Sequence, residues 1–150
     1  MVRRQQFRAT FSAALAETYT ALSMTLAFRR WSPEDELPRT GFRYCHRTGS
    51  VLRVGRIVDV VRPCGLTLEE VLHDAPCRVR LLLRCRIEPL REACAVRLDV
   101  RYGLNHPASL RFGHWERRLS LHFGRQLKYI GVNLTRLRGQ AEFTHARNRS

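Results

Sequence analysis

The sequence predicts an α+β fold in which one antiparallel sheet is covered by a single long helix near the C-terminus. The first observation is a stripe of apolar residues at helical spacing, from about residue 105 to residue 138. The second is a series of segments in which apolar and polar residues alternate, separated by turn residues. Because an apolar stripe has to be buried, we expect the helix to lie across the sheet. The stripe consists of Phe112, Leu119, Phe123, Leu127, Ile130, Leu134 and Leu137.

The composition predicts one domain. A chain of 150 residues with 44% hydrophobic residues is long enough to bury a substantial core. No apolar run approaches the roughly 18 residues of a membrane span, and the segment after Arg3 and Arg4 lacks the apolar region of a signal peptide. We therefore expect a cytoplasmic protein. The five cysteines form no C-x-x-C pair, which predicts small buried side chains in a reducing compartment, with neither a metal nor a cofactor. They are Cys45, Cys64, Cys77, Cys85 and Cys94.

The net charge of +14 indicates an anionic partner, either a membrane surface or a nucleic acid. Nearly all of this charge is arginine, since Lys128 is the only lysine. Such a skew also arises from genome composition, so the positions of the arginines carry more information than their number.

The first 38 residues predict a strand, a helix and an acidic loop. Residues 3–11 alternate, which is typical of a half-buried strand. Ser12 is a candidate N-cap for a helix of about three turns, in which apolar residues follow at steps of three and four. Ser32 and Pro33 end this helix, and the acidic loop 33–38 follows.

Five further strands are predicted after Gly41, and a seventh, short strand is left open between Leu37 and Tyr44. The five cover residues 42–46, 51–62, 66–73, 77–88 and 93–102. Closing the last hairpin around Leu90 places Leu83 opposite Leu98 and Cys85 opposite Val96. One face of the sheet is then buried, and the other is rich in arginine. That face is predicted to carry Arg53, Arg78, Arg80, Arg84, Arg86, Arg97 and Arg101.

Alternation places two charged residues among inward-facing apolar neighbours. If Leu52, Val54, Val58 and Val60 point inward, Arg56 does too, and Glu70 shares the buried side of the next strand. A buried charge is costly unless it is paired. The two residues are therefore either a clamp for the polar end of a ligand or a structural ion pair, unless a shifted register leaves Arg56 exposed.

Several aromatic side chains, most of them with a polar group, are further candidates for the interior. Phe42, Tyr44 and His46 share one side of their strand, and Tyr19 and Tyr102 add hydroxyl groups. Each tyrosine is equally consistent with a core residue whose hydroxyl lies at the rim.

On the long helix, Gly124 and Gly131 either allow close packing on the sheet or leave room for a ligand. His106, His114 and His122 are eight residues apart, which is not metal-ligand spacing on a helix, so we interpret them as solvated.

Three stretches resemble the START-like helix-grip superfamily, which includes polyketide cyclase/dehydrase and lipid-transport proteins. They are Trp31-Ser32-Pro33, Gly41-Phe42-Arg43-Tyr44, and the strand from Gly55 to Pro63. The resemblance covers about residues 6–138. It implies a helix-grip fold, with a six- to seven-stranded antiparallel sheet wrapped round the C-terminal helix and an apolar cavity between them. It also implies a domain of residues 1–138, followed by a basic tail, 139–150, that we expect to be frayed.

Three functions are compatible with this pattern. The first is binding of a hydrophobic or lipid-like small molecule in the cavity. The second is a polyketide cyclase or dehydratase that uses the same cavity, with catalytic residues that the sequence does not specify. The third is docking of the arginine-rich face on an anionic membrane, or on RNA, which is less favoured because few aromatic residues interleave the arginines. The oligomeric state does not follow from the sequence. The candidate ligand-binding residues are Tyr19, Phe42, Tyr44, His46, Arg56, Glu70, Tyr102, Phe123 and Leu127.

Overall fold

The computed structural model describes residues 2–27, 39–74, 77–104 and 112–149, and it confirms the α+β fold. Over these ranges the chain forms one sheet and two helices. The elements are β1 (Val2–Phe11), α1 (Leu15–Leu26), β2 (Arg43–Thr48), β3 (Val51–Val61), β4 (Gly65–Asp74), β5 (Cys77–Leu90), β6 (Ala93–Leu104) and α2 (Phe112–Arg149).

The six strands form a single antiparallel sheet in the order β1-β6-β5-β4-β3-β2. The five strands from β2 to β6 are connected by consecutive hairpins, and β1 pairs with β6. Helix α1 therefore connects the two opposite edges of the sheet. Both helices contact the same side, which we call the inner face, and they also pack on each other. Residues 39–42 form no strand, and the rest of the segment where a seventh strand was left open lies outside the described residues.

The apolar stripe of α2 forms the centre of the core. Leu119, Phe123, Leu127, Ile130 and Leu134 are all buried on the sheet side. The helix is described from Phe112 and continues to Arg149, so the expectation that it ends near residue 138 was wrong. The part expected to begin near residue 105 lies outside the described residues. Within the described residues, no helix has the length and apolar character needed to cross a membrane.

The β5–β6 hairpin has a different register from the predicted one. The chain turns at Arg91 and Glu92, and Glu92 adopts a positive φ of 60°. Leu83 consequently lies opposite Val100 rather than Leu98, and Cys85 lies opposite Leu98 rather than Val96. A shift of two residues preserves the alternation of side chains, so the predicted buried face is correct although the pairs are not.

Strand β3 contains the most informative departure from the prediction. A β-bulge interrupts its pairing with β4 between Ile57 and Asp59. The extra residue reverses the alternation, so the inward positions are odd-numbered before the bulge and even-numbered after it. Arg53 is therefore buried, whereas Val54 and Arg56 point outward, which corrects the inward orientation predicted for both.

Two local expectations are also corrected. Ala14, not Ser12, occupies the N-cap position of α1, and no side chain caps that end. Among the cysteines, Cys85 and Cys94 are buried, but Cys45 and Cys64 are exposed. The helix α1 ends at Leu26, with Ala27 as its C-cap, so the expectation that it continues to Ser32 and Pro33 was wrong. The side chain of Cys77 lies outside the described residues.

Candidate functional site

A cross-strand row on the inner face brings a tyrosine to a buried carboxylate. Tyr44 on β2 pairs with Gly55 on β3, and Gly55 pairs with Glu70 on β4. Because Gly55 has no side chain, the ring of Tyr44 lies over its Cα position. The Tyr44 hydroxyl thereby reaches across the strand and donates a hydrogen bond to Oε1 of Glu70.

Arg53 approaches the same carboxylate from the neighbouring position on β3. Its Nε donates to Oε2 of Glu70 at 3.2 Å, and its Nη2 donates to Oε1. Nη2 also lies 3.5 Å from the carbonyl oxygen of Leu26 at the end of α1. Arg53 is 3% exposed and Glu70 is 2% exposed, so this is an ion pair within the core. The inward orientation predicted for Glu70 is confirmed.

His46 completes the sheet side of the site. Its ring stacks on Tyr44 at a centroid distance of 5.4 Å, and its Nε2 is 3.0 Å from the carbonyl oxygen of Ala27. The Arg53 guanidinium carbon lies 5.8 Å from the centre of the Tyr44 ring, within range of a cation–π interaction. These contacts hold the C-terminal end of α1 against β2 and β3.

Helix α2 contributes His122, whose Nε2 is buried without a hydrogen-bond partner among the described residues. The imidazole packs edge-on against Phe123, with ring centroids 4.9 Å apart. Burial, together with the positive charge of Arg53, lowers the pKa of His122 to about 4. The interpretation of His122 as solvated was therefore wrong; His114 is exposed, and His106 lies outside the described residues. We refer to Tyr44, His46, Arg53, Glu70 and His122 as the inner polar cluster.

The electrostatics of the cluster favour hydrogen bonding over proton transfer. Burial and the negative charge of Glu70 raise the pKa of Tyr44 far above its ordinary value, so its hydroxyl remains a donor. The guanidinium of Arg53 and the carboxylate of Glu70 neutralise each other. His122 is neutral near pH 7, because its pKa is about 4. The cluster thus combines a closed ion pair with one unpartnered imidazole nitrogen that lies within electrostatic range of it.

The structure brings only part of the predicted set together. Tyr44, His46 and Glu70 meet in the cluster, and Phe123 is buried beside His122. Arg56 is on the outer face, where its side chain is 55% exposed and its Nη2 lies 2.8 Å from Oε2 of Glu69.

The other predicted residues are buried, except for the partly buried Phe42, and over the described ranges the structure gives none of them a contact with the ion pair. Tyr19 is on α1 two turns before Leu26, and the charge of Arg62 acts on its hydroxyl. Tyr102 shares the cross-strand row of Glu70 but is two strands distant. Phe42 and Leu127 pack in the apolar core.

Two residues of the cluster were missed from the sequence. Arg53 was assigned to the arginine-rich face because the bulge had not been foreseen. Ile57 lies four residues after Arg53 and before the bulge, so the two side chains face the same side of the strand. The apolar side chain of Ile57 was therefore a signal that this side is buried. His122 follows Leu119 by three residues and therefore borders the apolar stripe, which was a signal that it is not fully solvated.

The two helix glycines do not line the cluster. A Cβ on Gly131 would lie 3.3 Å from Cε1 of Phe11, so close packing on β1 explains this glycine. Gly124 is exposed, with no atom near the position of a Cβ. Within the described ranges, no group of three or more histidine, cysteine or acidic side chains is placed to hold a metal ion.

These features define a helix-grip fold, with the antiparallel sheet packed on the long C-terminal helix. Solved structures share it. The chain resembles protein MLL2253 from Mesorhizobium loti with a TM-score of 0.66 and 15% identity, over 89% of this chain and 98% of that one. It resembles CalU16 from Micromonospora echinospora with a TM-score of 0.58 and 19% identity, over 97% and 85%.

DynU16, a protein of the dynemicin biosynthetic locus, matches with a TM-score of 0.62 and 10% identity, over 88% of this chain and 47% of that one. At these identities the likeness establishes the fold alone. No protein-family model matches the sequence, and no curated protein is detectably similar to it.

Proposed function

We propose that this protein binds a hydrophobic small molecule between the sheet and α2, and that the inner polar cluster holds the polar end of the ligand. The observation that carries the proposal is the buried, unpartnered Nε2 of His122, whose imidazole lies within electrostatic range of the Arg53–Glu70 ion pair. The START-like resemblance of the sequence and the helix-grip fold both support it.

The energetics of the ion pair favour recognition over stability as its role. Removing two charges from water costs several kcal/mol per ion, and apolar replacements of a buried pair are often neutral or stabilising. The unpartnered nitrogen of His122 adds a desolvation penalty of about 1–3 kcal/mol. A ligand hydroxyl or carbonyl bonded to Nε2 would remove this penalty.

The pairing also indicates the polarity of the ligand. Glu70 already occupies Nε and Nη2 of Arg53, so the guanidinium is a poor site for a second carboxylate. His122 is neutral and carries no charge to attract an anion. We therefore infer an apolar ligand with an uncharged hydroxyl or carbonyl group. This replaces the hypothesis that Arg56 and Glu70 together clamp the polar end of a ligand, because Arg56 pairs with Glu69 on the outer face.

The test is native mass spectrometry of the purified protein, followed by lipid extraction. We expect an apolar molecule to co-purify with the wild type and to be lost from the quadruple variant Tyr44→Phe, Arg53→Met, Glu70→Leu, His122→Phe. That variant removes the ion pair, the tyrosine hydroxyl and the unpartnered imidazole nitrogen together, so we expect it to fold. An empty wild-type protein would contradict the proposal, as would a quadruple variant that keeps its ligand.

The adjacent ion pair on the outer face provides a matched control. The variant Arg56→Met, Glu69→Leu makes the same chemical change within the same two strands. It should retain the co-purifying molecule. Loss of the molecule from both variants would indicate a general effect on β3 and β4 rather than a role for the inner polar cluster.

A cyclase or dehydratase activity is the second candidate, and the similarity to DynU16 from a biosynthetic locus is the observation that favours it. The geometry supports it less well. A histidine with a pKa of about 4 is a weak general base at neutral pH, and the Tyr44 hydroxyl is already committed to Glu70. Incubation with a poly-β-keto thioester, followed by mass spectrometry for loss of water, tests it. Turnover that disappears in His122→Asn would establish catalysis.

Two broader expectations belong to the same proposal. We propose that residues 1–138 form a domain of the START-like superfamily, beyond which α2 extends to Arg149. We also propose a cytoplasmic location, which the free thiols of Cys45, Cys64, Cys85 and Cys94 support.

A further inference from the structure

A long trough crosses the outer face of the sheet, on the side opposite the helices. Its volume is about 900 Å³, and residues from all six strands line it. With neighbouring strands about 4.8 Å apart, six strands give it a length of about 24 Å. The outward side chains of the trough are different from those of the inner polar cluster, because the two sets lie on opposite faces of the sheet.

The side chains of the trough follow from the register. One cross-strand row contains Gly103, Arg80, Val71 and Val54 on neighbouring strands, and Val2 extends it onto β1. Short side chains dominate this row, so it forms a shallow apolar floor. Val54 is 40% exposed and is thus free to contact a partner.

Arginines lie beside the floor and within it. Arg43, Arg56 and Arg101 belong to the next cross-strand row, and Arg80 lies in the floor row itself. Glu69 lies among them in the trough, and Asp99 on the same face accepts hydrogen bonds from Arg4. Glu69 pairs with Arg56, which leaves the arginines in excess. The trough therefore combines a mainly apolar row with arginines along one side of it and one arginine within it.

The apolar floor and the arginines together favour one class of anionic partner over the others. A flat bilayer would contact the arginines but would leave the floor of a concave trough uncovered. A single nucleic-acid strand needs aromatic platforms for its bases, and the outward side chains of the trough are aliphatic or charged. An amphipathic helix matches both features, since its apolar stripe covers the floor while acidic residues beside the stripe face the arginines.

We propose that the trough is the docking site for an acidic amphipathic helix of a partner protein. A trough of about 24 Å corresponds to about 16 helical residues at 1.5 Å per residue. The attraction between acidic residues and the arginines is expected to weaken with salt, and the contact with the valines is expected to persist.

The probe is a fluorescent peptide of about 16 residues, the helical length of the trough, with leucines at helical spacing, glutamates on both sides and alanines at the back. A scrambled peptide of the same composition is its control. Binding is followed by fluorescence anisotropy at about 0.15 M ionic strength. We expect saturable binding of the helical peptide and at least about tenfold weaker binding of the scrambled one.

The variant Val54→Lys separates this proposal from binding by charge alone. It removes part of the apolar floor and adds a positive charge, so the helix proposal predicts about tenfold weaker binding, whereas a purely electrostatic surface would bind more tightly. Val61→Lys makes the same change at an exposed position of β3 outside the trough. It should alter binding by less than about twofold. Circular dichroism verifies the fold of both variants.

Several results would overturn the proposal. They are absence of binding by the helical peptide, equal binding of the scrambled peptide, and tighter binding by Val54→Lys. Displacement of the helical peptide by phosphatidylglycerol vesicles or by single-stranded RNA at lower concentration would assign the trough to a membrane or to RNA instead.

Discussion

Replacing Gly55 with alanine is the most direct perturbation of the inner polar cluster. A Cβ at this position would overlap Cζ and Oη of Tyr44. The backbone of β3 cannot move away, because β2 and β4 are hydrogen-bonded to its two edges. The ring of Tyr44 must therefore move, and its hydrogen bond to Glu70 breaks. Gly55 is not among the glycines with positive φ, so the effect is steric rather than conformational.

The magnitude follows from three contributions. A hydrogen bond to a charged group contributes about 1.5–3 kcal/mol to the free energy of unfolding. Overpacking in a core costs about 1–3 kcal/mol, and alanine recovers about 0.5–1 kcal/mol of strand stability relative to glycine. We therefore expect Gly55→Ala to lower the free energy of unfolding by about 2–5 kcal/mol, measured by urea denaturation.

Two controls assign the effect to Tyr44. Gly124→Ala places a methyl group in open space on α2, and it should raise the free energy of unfolding by up to about 1 kcal/mol. In a Tyr44→Ala background, the clash is absent, so Gly55→Ala should become nearly neutral. Two results would contradict this explanation. One is a free energy of unfolding for Gly55→Ala within about 0.5 kcal/mol of the wild-type value, and the other is an equal loss of free energy when Gly55→Ala is made in the Tyr44→Ala background.

Two further predictions concern charge. Burial lowers the pKa of His122 from 6.5 to about 4, so as the pH falls the imidazole is protonated in the unfolded chain at a higher pH than in the folded one. Stability should fall by about 3 kcal/mol between pH 6.5 and pH 4, and urea denaturation of His122→Asn at several pH values should show a correspondingly flatter profile. Equal pH profiles for the two proteins would contradict the burial of this imidazole. Arg53→Met should lower the free energy of unfolding by about 3–5 kcal/mol because it leaves the Glu70 carboxylate buried and unpaired, whereas Arg56→Met should change it by less than about 1 kcal/mol. Similar urea midpoints for these two variants would show that the burial assigned to Arg53 is incorrect.

The fold was predictable because its signals are local. The stripe of α2 repeats at helical spacing over several turns, and the strands alternate cleanly between turn residues. The β5–β6 register was predicted two residues out because turn geometry, not alternation, determines which residues pair. The two-residue turn at Arg91 and Glu92 carries no glycine or asparagine to mark it.

The site was only partly predictable, and the reason differs from residue to residue. Glu70 was found because β4 has no bulge near it, so alternation holds from Leu66 to Leu72. Arg53 was missed because the bulge at Ile57–Asp59 reverses the alternation on β3. A bulge is selected by the packing of the whole sheet, and no residue type at that point specifies it.

The two ion pairs on β3 and β4 show why residue chemistry alone does not reveal a site. Arg53 with Glu70 and Arg56 with Glu69 contain the same groups on the same two strands. The inner side chains are 3% and 0% exposed, and the outer ones are 55% and 49% exposed. Water screens the outer pair, so it contributes little to stability and its charges remain available to a docking partner. The inner pair is desolvated, so its contribution to stability depends on its hydrogen-bond partners within the core. The unpartnered nitrogen of His122 is a group to which a ligand could donate a hydrogen bond or from which it could accept one.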